Sequence, residues 1–356
     1  MHYKEHIQSL PAYKPAKLVS GPSAELVKLS SNENPLGPSP KAIAAFQAIA
    51  GEIHRYPDAG ALALRSALGA KVGLGPEHVI CSNGSDELLL LICLGLLGEG
   101  DEALMASGTF ISYLIRSREL GARAVQVPLR NHSHDLPAMA AALRERTRVV
   151  FVCNPNNPTG ATVGAAEVQA FLAAVPDDVL IVMDEAYVEF ATRTDYPDLL
   201  PELRAGRKNV ILLRTFAKIH GLAGLRLGYG YAHPELIGYL DRVRPVFNVS
   251  LPAQVAGIAA LDDDEHLERS RAHAIASRAF FEHRLRGLGL KPIAGETNFV
   301  AFAVGDDAAV TAGLRERGFA VTPLAGWGLP GLIRVSFGTE EQNERFIAAL
   351  QSTLEA

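Results

Sequence analysis

The feature that most limits how this chain can fold is a set of short apolar runs, each of strand length and each ending on a polar turn. Val79-Ile80, Val149 to Val152, Val179 to Met183 and Val210 to Leu213 are rich in β-branched side chains, and helical stretches alternate with them from about residue 41 to 245. A strand that is apolar on both faces must be covered on both. The alternation therefore predicts a mostly parallel sheet with helices on either side. In open sheets of this kind a ligand sits beyond the carboxyl ends of the strands, so the residues that follow each run are where chemistry is expected.

The run Asn209 to Leu213 leads into Arg214-Thr-Phe-Ala-Lys218-Ile-His-Gly-Leu-Ala-Gly-Leu-Arg226. A lysine in a turn with an arginine soon after, in a Gly-rich segment, suits an aldehyde cofactor with a phosphate tail: the amine couples to the aldehyde and the guanidinium clamps the phosphate. Val179 to Met183 ends on Asp184-Glu-Ala-Tyr187. Asp184 can pair with a pyridine nitrogen and keep it protonated, and Tyr187 can hydrogen-bond a ring oxygen; Asp184 also suits a helix N-cap. Arg148 to Cys153 runs into Asn154-Pro-Asn-Asn-Pro-Thr-Gly160, a turn in which Asn154, at the strand end, is the candidate for the other side of that ring oxygen. After His78 to Cys81 comes Ser82-Asn-Gly-Ser-Asp86. Gly84 allows a close approach there, while Ser85 and Asp86 open a helix whose free N–H groups favour a phosphate.

Taken with Ser30-Ser-Asn-Glu-Asn34-Pro-Leu-Gly-Pro-Ser-Pro40, His54-Arg-Tyr56-Pro-Asp58 and Ile333-Arg334-Val-Ser-Phe-Gly-Thr339, these segments cover nearly the whole chain in order. Together they resemble the histidinol-phosphate aminotransferase family. The resemblance implies an α/β fold-type I transferase dependent on pyridoxal phosphate, with a large domain built on a mostly parallel seven-stranded sheet and a smaller α+β domain. It implies that Lys218 binds the cofactor and moves a proton at the donor's α-carbon, with Asp184 on the pyridine nitrogen and Asn154 and Tyr187 beside the ring oxygen. Gly84, Ser85, Asp86, Thr215 and Arg226 would form the phosphate cup, with Tyr56 reaching in from a second subunit of a homodimer with shared sites. Phe110 would stack on the ring, Tyr13 would close over the pocket, and Asn34 and Arg334 would hold the substrate.

Three positions depart from the family pattern: Ala217 where serine usually precedes the lysine, Gly108 where proline is usual, and Thr322, in Val321-Thr-Pro323, where the family usually has an arginine that helps neutralise the substrate's anion. The last leaves two donors open. Histidinol phosphate with 2-oxoglutarate is the first expectation, and an aromatic amino acid is the alternative, since a pocket lacking the second arginine suits an apolar side chain. Decarboxylation of an amino-acid phosphate is a distant third. A nicotinamide-dependent dehydrogenase is disfavoured because no G-x-G-x-x-G follows an early strand. A protein that merely bound the cofactor would need neither a lysine base nor a substrate arginine.

The expected units are an arm over 1–40 that packs with the small domain, a large domain over 41–245 and a small domain over 246–356. Thirty-four basic and thirty-nine acidic residues leave a net charge of −5, which gives no sign of a nucleic-acid or membrane partner. The run Leu88 to Leu97 is far short of the ~20 residues a membrane helix requires. Cys81, Cys93 and Cys153 lie in apolar contexts without metal-like spacing, and the scattered histidines suggest no metal. A cytoplasmic enzyme with small-molecule donor and 2-oxo acid partners is the expectation.

Overall fold

A computed structural model of the protein describes residues 1–10 and 26–356. Its first strand, β1 (Val27–Lys28), lies outside the main sheet. The main sheet has seven strands: β2 (Val79–Ser82), β3 (Glu102–Ala106), β4 (Arg123–Val127), β5 (Thr147–Cys153), β6 (Leu180–Asp184), β7 (Val210–Thr215) and β8 (Gly228–Ala232). Their order across the sheet is β2-β8-β7-β6-β5-β3-β4. Pairing is parallel from β7 through β4, whereas β8 runs antiparallel to both β2 and β7. Two antiparallel steps restore the direction of β2. Its carboxyl end therefore lies on the same edge as those of β5, β6 and β7, and β8 starts from that edge.

Alternate residues of the central strands feed two separate cores, as a period of two requires. Val150, Val152, Ile181, Met183 and Leu212 join one cluster, while Val149, Phe151, Leu180, Val182, Ile211 and Leu213 join the other. This is why these strands read as unbroken apolar runs. β8 was not legible in that way because its sequence, Gly-Tyr-Gly-Tyr-Ala, has no such run.

The smaller unit holds β9 (Phe299–Ala303), β10 (Phe319–Ala320), β11 (Thr322–Pro323) and β12 (Leu332–Ser336). β12 sits between β11 and β9 in an antiparallel sheet, and β1 adds to β10 in parallel. The helices Asp264–Gly287 and Glu340–Leu354 cover it, with Phe281, Leu285, Phe302, Ile333, Val335, Phe346 and Leu350 in the shared core.

Two boundaries differ from the expected ones. The helix Leu251–Leu261 belongs to the large unit rather than to a small domain starting at 246: its Ala253, Ala256 and Ala260 enter the same core as the sheet, against the helices Pro40–Ala48 and Leu62–Lys71. Pro252 opens this helix in its first turn, with the Ser250 hydroxyl accepting from Ala253 N, and marks no domain boundary. The arm is also divided. Val27–Lys28 pairs with the small unit, but Glu5–Gln8 lies against the large-unit helix Ile111–Glu119.

Candidate active site

A cavity of about 470 Å³ opens at the carboxyl edge of the main sheet. The last residues of β5, β6 and β7, namely Cys153, Asp184 and Thr215, line it, together with Ser85 and Asp86 beyond β2, Phe110 beyond β3, and Lys218, Arg226 and Arg334. Strand ends placed side by side by the sheet are what bring these distant positions together.

One end of the cavity is built for an anion. The helix Ser85–Leu96 has no side-chain cap, so its first N–H groups are left without partners inside the helix, and the macrodipole adds positive potential there. Arg226 stands beside it in a left-handed conformation (φ 54°), with Nη1 donating to Ala223 O at 3.1 Å. Gly84 has φ 78°, and a Cβ there would fall 2.4 Å from Arg226 Nη2; one on Gly228 would fall 2.3 Å from Ser85 N. Only glycines permit this approach of guanidinium, strand and helix start. The Asp86 carboxylate turns away to an ion pair with Arg116, which is also bound to Glu119. The Thr215 hydroxyl is tied to the backbone, donating to Leu227 O at 3.3 Å and accepting from Ala217 N at 3.1 Å.

At the floor, Asp184 is 3% exposed. Its Oδ2 accepts from the Tyr113 phenol at 2.6 Å and its Oδ1 from Ala186 N at 3.2 Å. Burial raises its pKa, and the Tyr113 hydrogen bond opposes that rise. Tyr113 is itself fully buried, stacked on Phe151 at 4.8 Å and edge-on to Phe110 at 5.6 Å. Behind the floor, Glu185 faces the other way and pairs with Arg214 at 2.8 Å, locking β6 to β7.

Lys218 Nζ donates to Ser31 O at 3.0 Å and lies 5.8 Å from the Tyr187 ring centre. Burial, reinforced by the Arg334 charge, lowers its pKa to about 8, so roughly a tenth of the amine is uncharged at pH 7, against well under a thousandth for an ordinary lysine. Arg334 is 5% exposed and lies between the faces of Trp327 (5.5 Å) and Phe299 (5.4 Å). Its Nη2 donates to Ser30 O at 2.7 Å and to the Thr322 hydroxyl at 3.3 Å, and its Nη1 to Asn157 Oδ1. Arg334 Nε, buried, has no partner among the described residues, which leaves a donor for an anionic ligand.

Several expected positions lie elsewhere than on the cavity wall. Asn154 does not line the cavity: its amide closes a turn with Val163, accepting from Val163 N at 3.0 Å and donating to Val163 O at 3.3 Å. Asn157, in the same turn, takes its place on the cavity wall. Asn34 is likewise structural, donating to Ile219 O and Ser270 Oγ, both at 2.8 Å. Asn32 lines the cavity instead and donates to the Tyr187 phenol at 2.8 Å. Gly84 shapes the cup without lining it. Tyr56 is 81% exposed, stacked on Phe247 at 4.6 Å, and does not line this cavity. Tyr13 lies outside the described residues. Tyr113 and Trp327 were not foreseen, although Tyr113 follows Phe110 at helical spacing and Trp327 is the sole tryptophan. His134 is a core residue, its Nε2 accepting from Cys153 N at 3.3 Å, and no metal-binding cluster occurs among the described residues.

The fit to pyridoxal phosphate follows from the donor set: a phosphate cup of helix N–H groups and Arg226, a buried carboxylate, a partly uncharged lysine amine and an unpaired arginine N–H. Comparisons with known proteins agree. The sequence profile of "Aminotransferase class I and II" matches residues 24–350. A histidinol-phosphate aminotransferase of Moorella thermoacetica is 46% identical over 99% of this chain and 92% of its own length. One from Anaeromyxobacter is 42% identical over 99% and 98%. The crystal structure of histidinol-phosphate aminotransferase from Sinorhizobium meliloti in complex with pyridoxal-5'-phosphate superposes with a TM-score of 0.88 at 30% identity, over 99% of this chain and 97% of that one. The chain belongs to the class I and II aminotransferases.

Proposed function

We propose that this aminotransferase depends on pyridoxal phosphate and exchanges the amino group between histidinol phosphate and 2-oxoglutarate, as a cytoplasmic homodimer. The observation that carries the reading is the single cavity wall shared by Lys218, Asp184, Arg226 and Arg334. When bound, the cofactor supplies an aldehyde that couples to amines and a ring that accepts the electron pair left at the donor's α-carbon. The chain's residues do the rest. The backbone N–H groups of Ser85 and Asp86 at the helix start would hold the phosphate together with Arg226, Asp184 would keep the ring nitrogen protonated, and Asn157 and Tyr187 would orient the ring oxygen. The Lys218 amine takes the proton from the donor's α-carbon and returns it to the cofactor's C4′ carbon. A pKa of about 8 suits both roles. Arg334 holds the donor's anionic end, and the phosphate ester of histidinol phosphate is such an anion.

The homodimer reading rests on Tyr56 and on an exposed apolar strip of Ile43, Phe46, Ile53, Leu62, Val246 and Phe247, which a second copy would cover. Among the described residues no helix is long and apolar enough to cross a membrane, and the three buried free thiols suit a reducing compartment.

The test is a half-reaction screen in which histidinol phosphate, phenylalanine and glutamate are added separately to the cofactor-loaded protein. Histidinol phosphate and glutamate should bleach the cofactor's visible absorbance. Bleaching by phenylalanine with none by histidinol phosphate would replace this assignment with the aromatic one, which Thr322 favours.

A further inference from the structure

We propose that Trp327, on the turn between β11 and β12, selects amino donors that carry an aromatic or heteroaromatic ring; this rests on the aminotransferase reading and adds the class of side chain the cavity accepts. Trp327 lines the cavity next to Phe110, the ring centres 6.2 Å apart and tilted by 35°. Its indole also lies 5.5 Å from the guanidinium of Arg334. A donor whose anion sits on Arg334 thus has its side chain beside an aromatic wall, where a flat ring gains offset or edge contacts that an aliphatic chain cannot.

Two further observations point the same way. Among the described residues three cations line the cavity, and with Lys218 and Arg226 serving the cofactor, Arg334 is the one of them left for the donor. At Thr322, directly across the strand pair from Arg334, the hydroxyl donates to Ser30 O at 2.9 Å and offers no second charge. The side chain beside Arg334 that a donor meets is therefore the Trp327 indole rather than a second charge. Independently, Gly108 has φ 75°, and a Cβ there would fall 3.0 Å from Leu329 Cδ2 and 3.1 Å from Leu129 Cδ1. Gly108 thus packs closely against Leu329, in the turn that carries Trp327.

The test compares the cofactor-loaded wild type with Trp327→Leu and Trp327→Phe. The ratio of kcat/KM for phenylalanine, and for histidinol phosphate, to that for glutamate should fall at least tenfold in the leucine variant. The phenylalanine variant should recover most of it. In addition, Trp327 is the only indole, so the emission of loaded wild type should change saturably with 3-phenylpropionate, an unreactive ring-bearing carboxylate. Selectivity ratios within twofold of wild type, equal losses on all donors, or emission indifferent to 3-phenylpropionate would each overturn the proposal. If no donor reacts with the wild type, the aminotransferase assignment fails, while the emission titration still decides whether Trp327 meets a ring.

Discussion

Removing one buried hydroxyl, with Tyr113→Phe, should slow amino transfer by about one to two powers of ten while leaving the fold intact. The phenol donates to Asp184 Oδ2 at 2.6 Å, and among the described residues the only other hydrogen bond to that carboxylate is from Ala186 N at 3.2 Å. A hydrogen bond to a charged group contributes ~1.5–3 kcal/mol, so its loss removes that much stabilisation from the Asp184 anion and raises its pKa further. Burial already raises that pKa, and the change is in the same direction. Asp184 acts as the anion. Activity that depends on it is present above its pKa and is lost as pH falls through it, so the acid limb of the variant's pH profile should move to higher pH. Phenylalanine keeps the stacking on Phe151 and the edge contact with Phe110, which separates the electrostatic effect from a packing defect. The assay is single-turnover rate against pH, with thermal unfolding as the control. A variant within twofold of wild type, with an unmoved acid limb, would refute the reasoning.

Three other outcomes are expected. Covalent uptake of cofactor by stripped protein requires the uncharged Lys218 amine, so its rate should rise about tenfold per pH unit and level off above pH 8; a rate still climbing toward pH 10 would assign this amine the ordinary lysine value. Lys218→Ala should lose turnover by several orders of magnitude. Mixing it with an inactive Tyr56→Ala chain should restore part of the activity through hybrid dimers, and an active monomer in light scattering would exclude shared sites. Thr322→Arg should raise kcat/KM for histidinol phosphate relative to phenylalanine by about one to two powers of ten, the worth of one charge-assisted hydrogen bond to a phosphate. No gain would mean another cation already serves: Lys14 and Lys17 lie outside the described residues, and Arg317 is committed to the carbonyls of Gly313 and Ser352.

By itself the sequence determined the architecture of the large unit and the edge at which chemistry occurs. Apolar runs at β5, β6 and β7 report burial on both faces, and the residues that end or follow them, Asp184, Lys218 and Arg226, inherit their place from the strand ends. Those are local properties, set by period and turn chemistry. Tertiary structure alone decided which of two asparagines in one turn faces the cavity. Asn154 and Asn157 have the same side chain, and the folded turn that brings Val163 back to the one, together with Arg334, 177 residues from the other, draws one inward to the backbone and the other to the wall. The same holds for Asn32 against Asn34, and for Tyr113, whose partner lies 71 residues away. It holds also for the helix Leu251–Leu261, whose small residues seat against the large unit although Pro252 punctuates its start. An amide or phenol has no intrinsic direction along a sequence. It turns toward whichever group the completed fold leaves in need of a hydrogen bond, because a buried polar atom without a partner costs more than any local preference can offset.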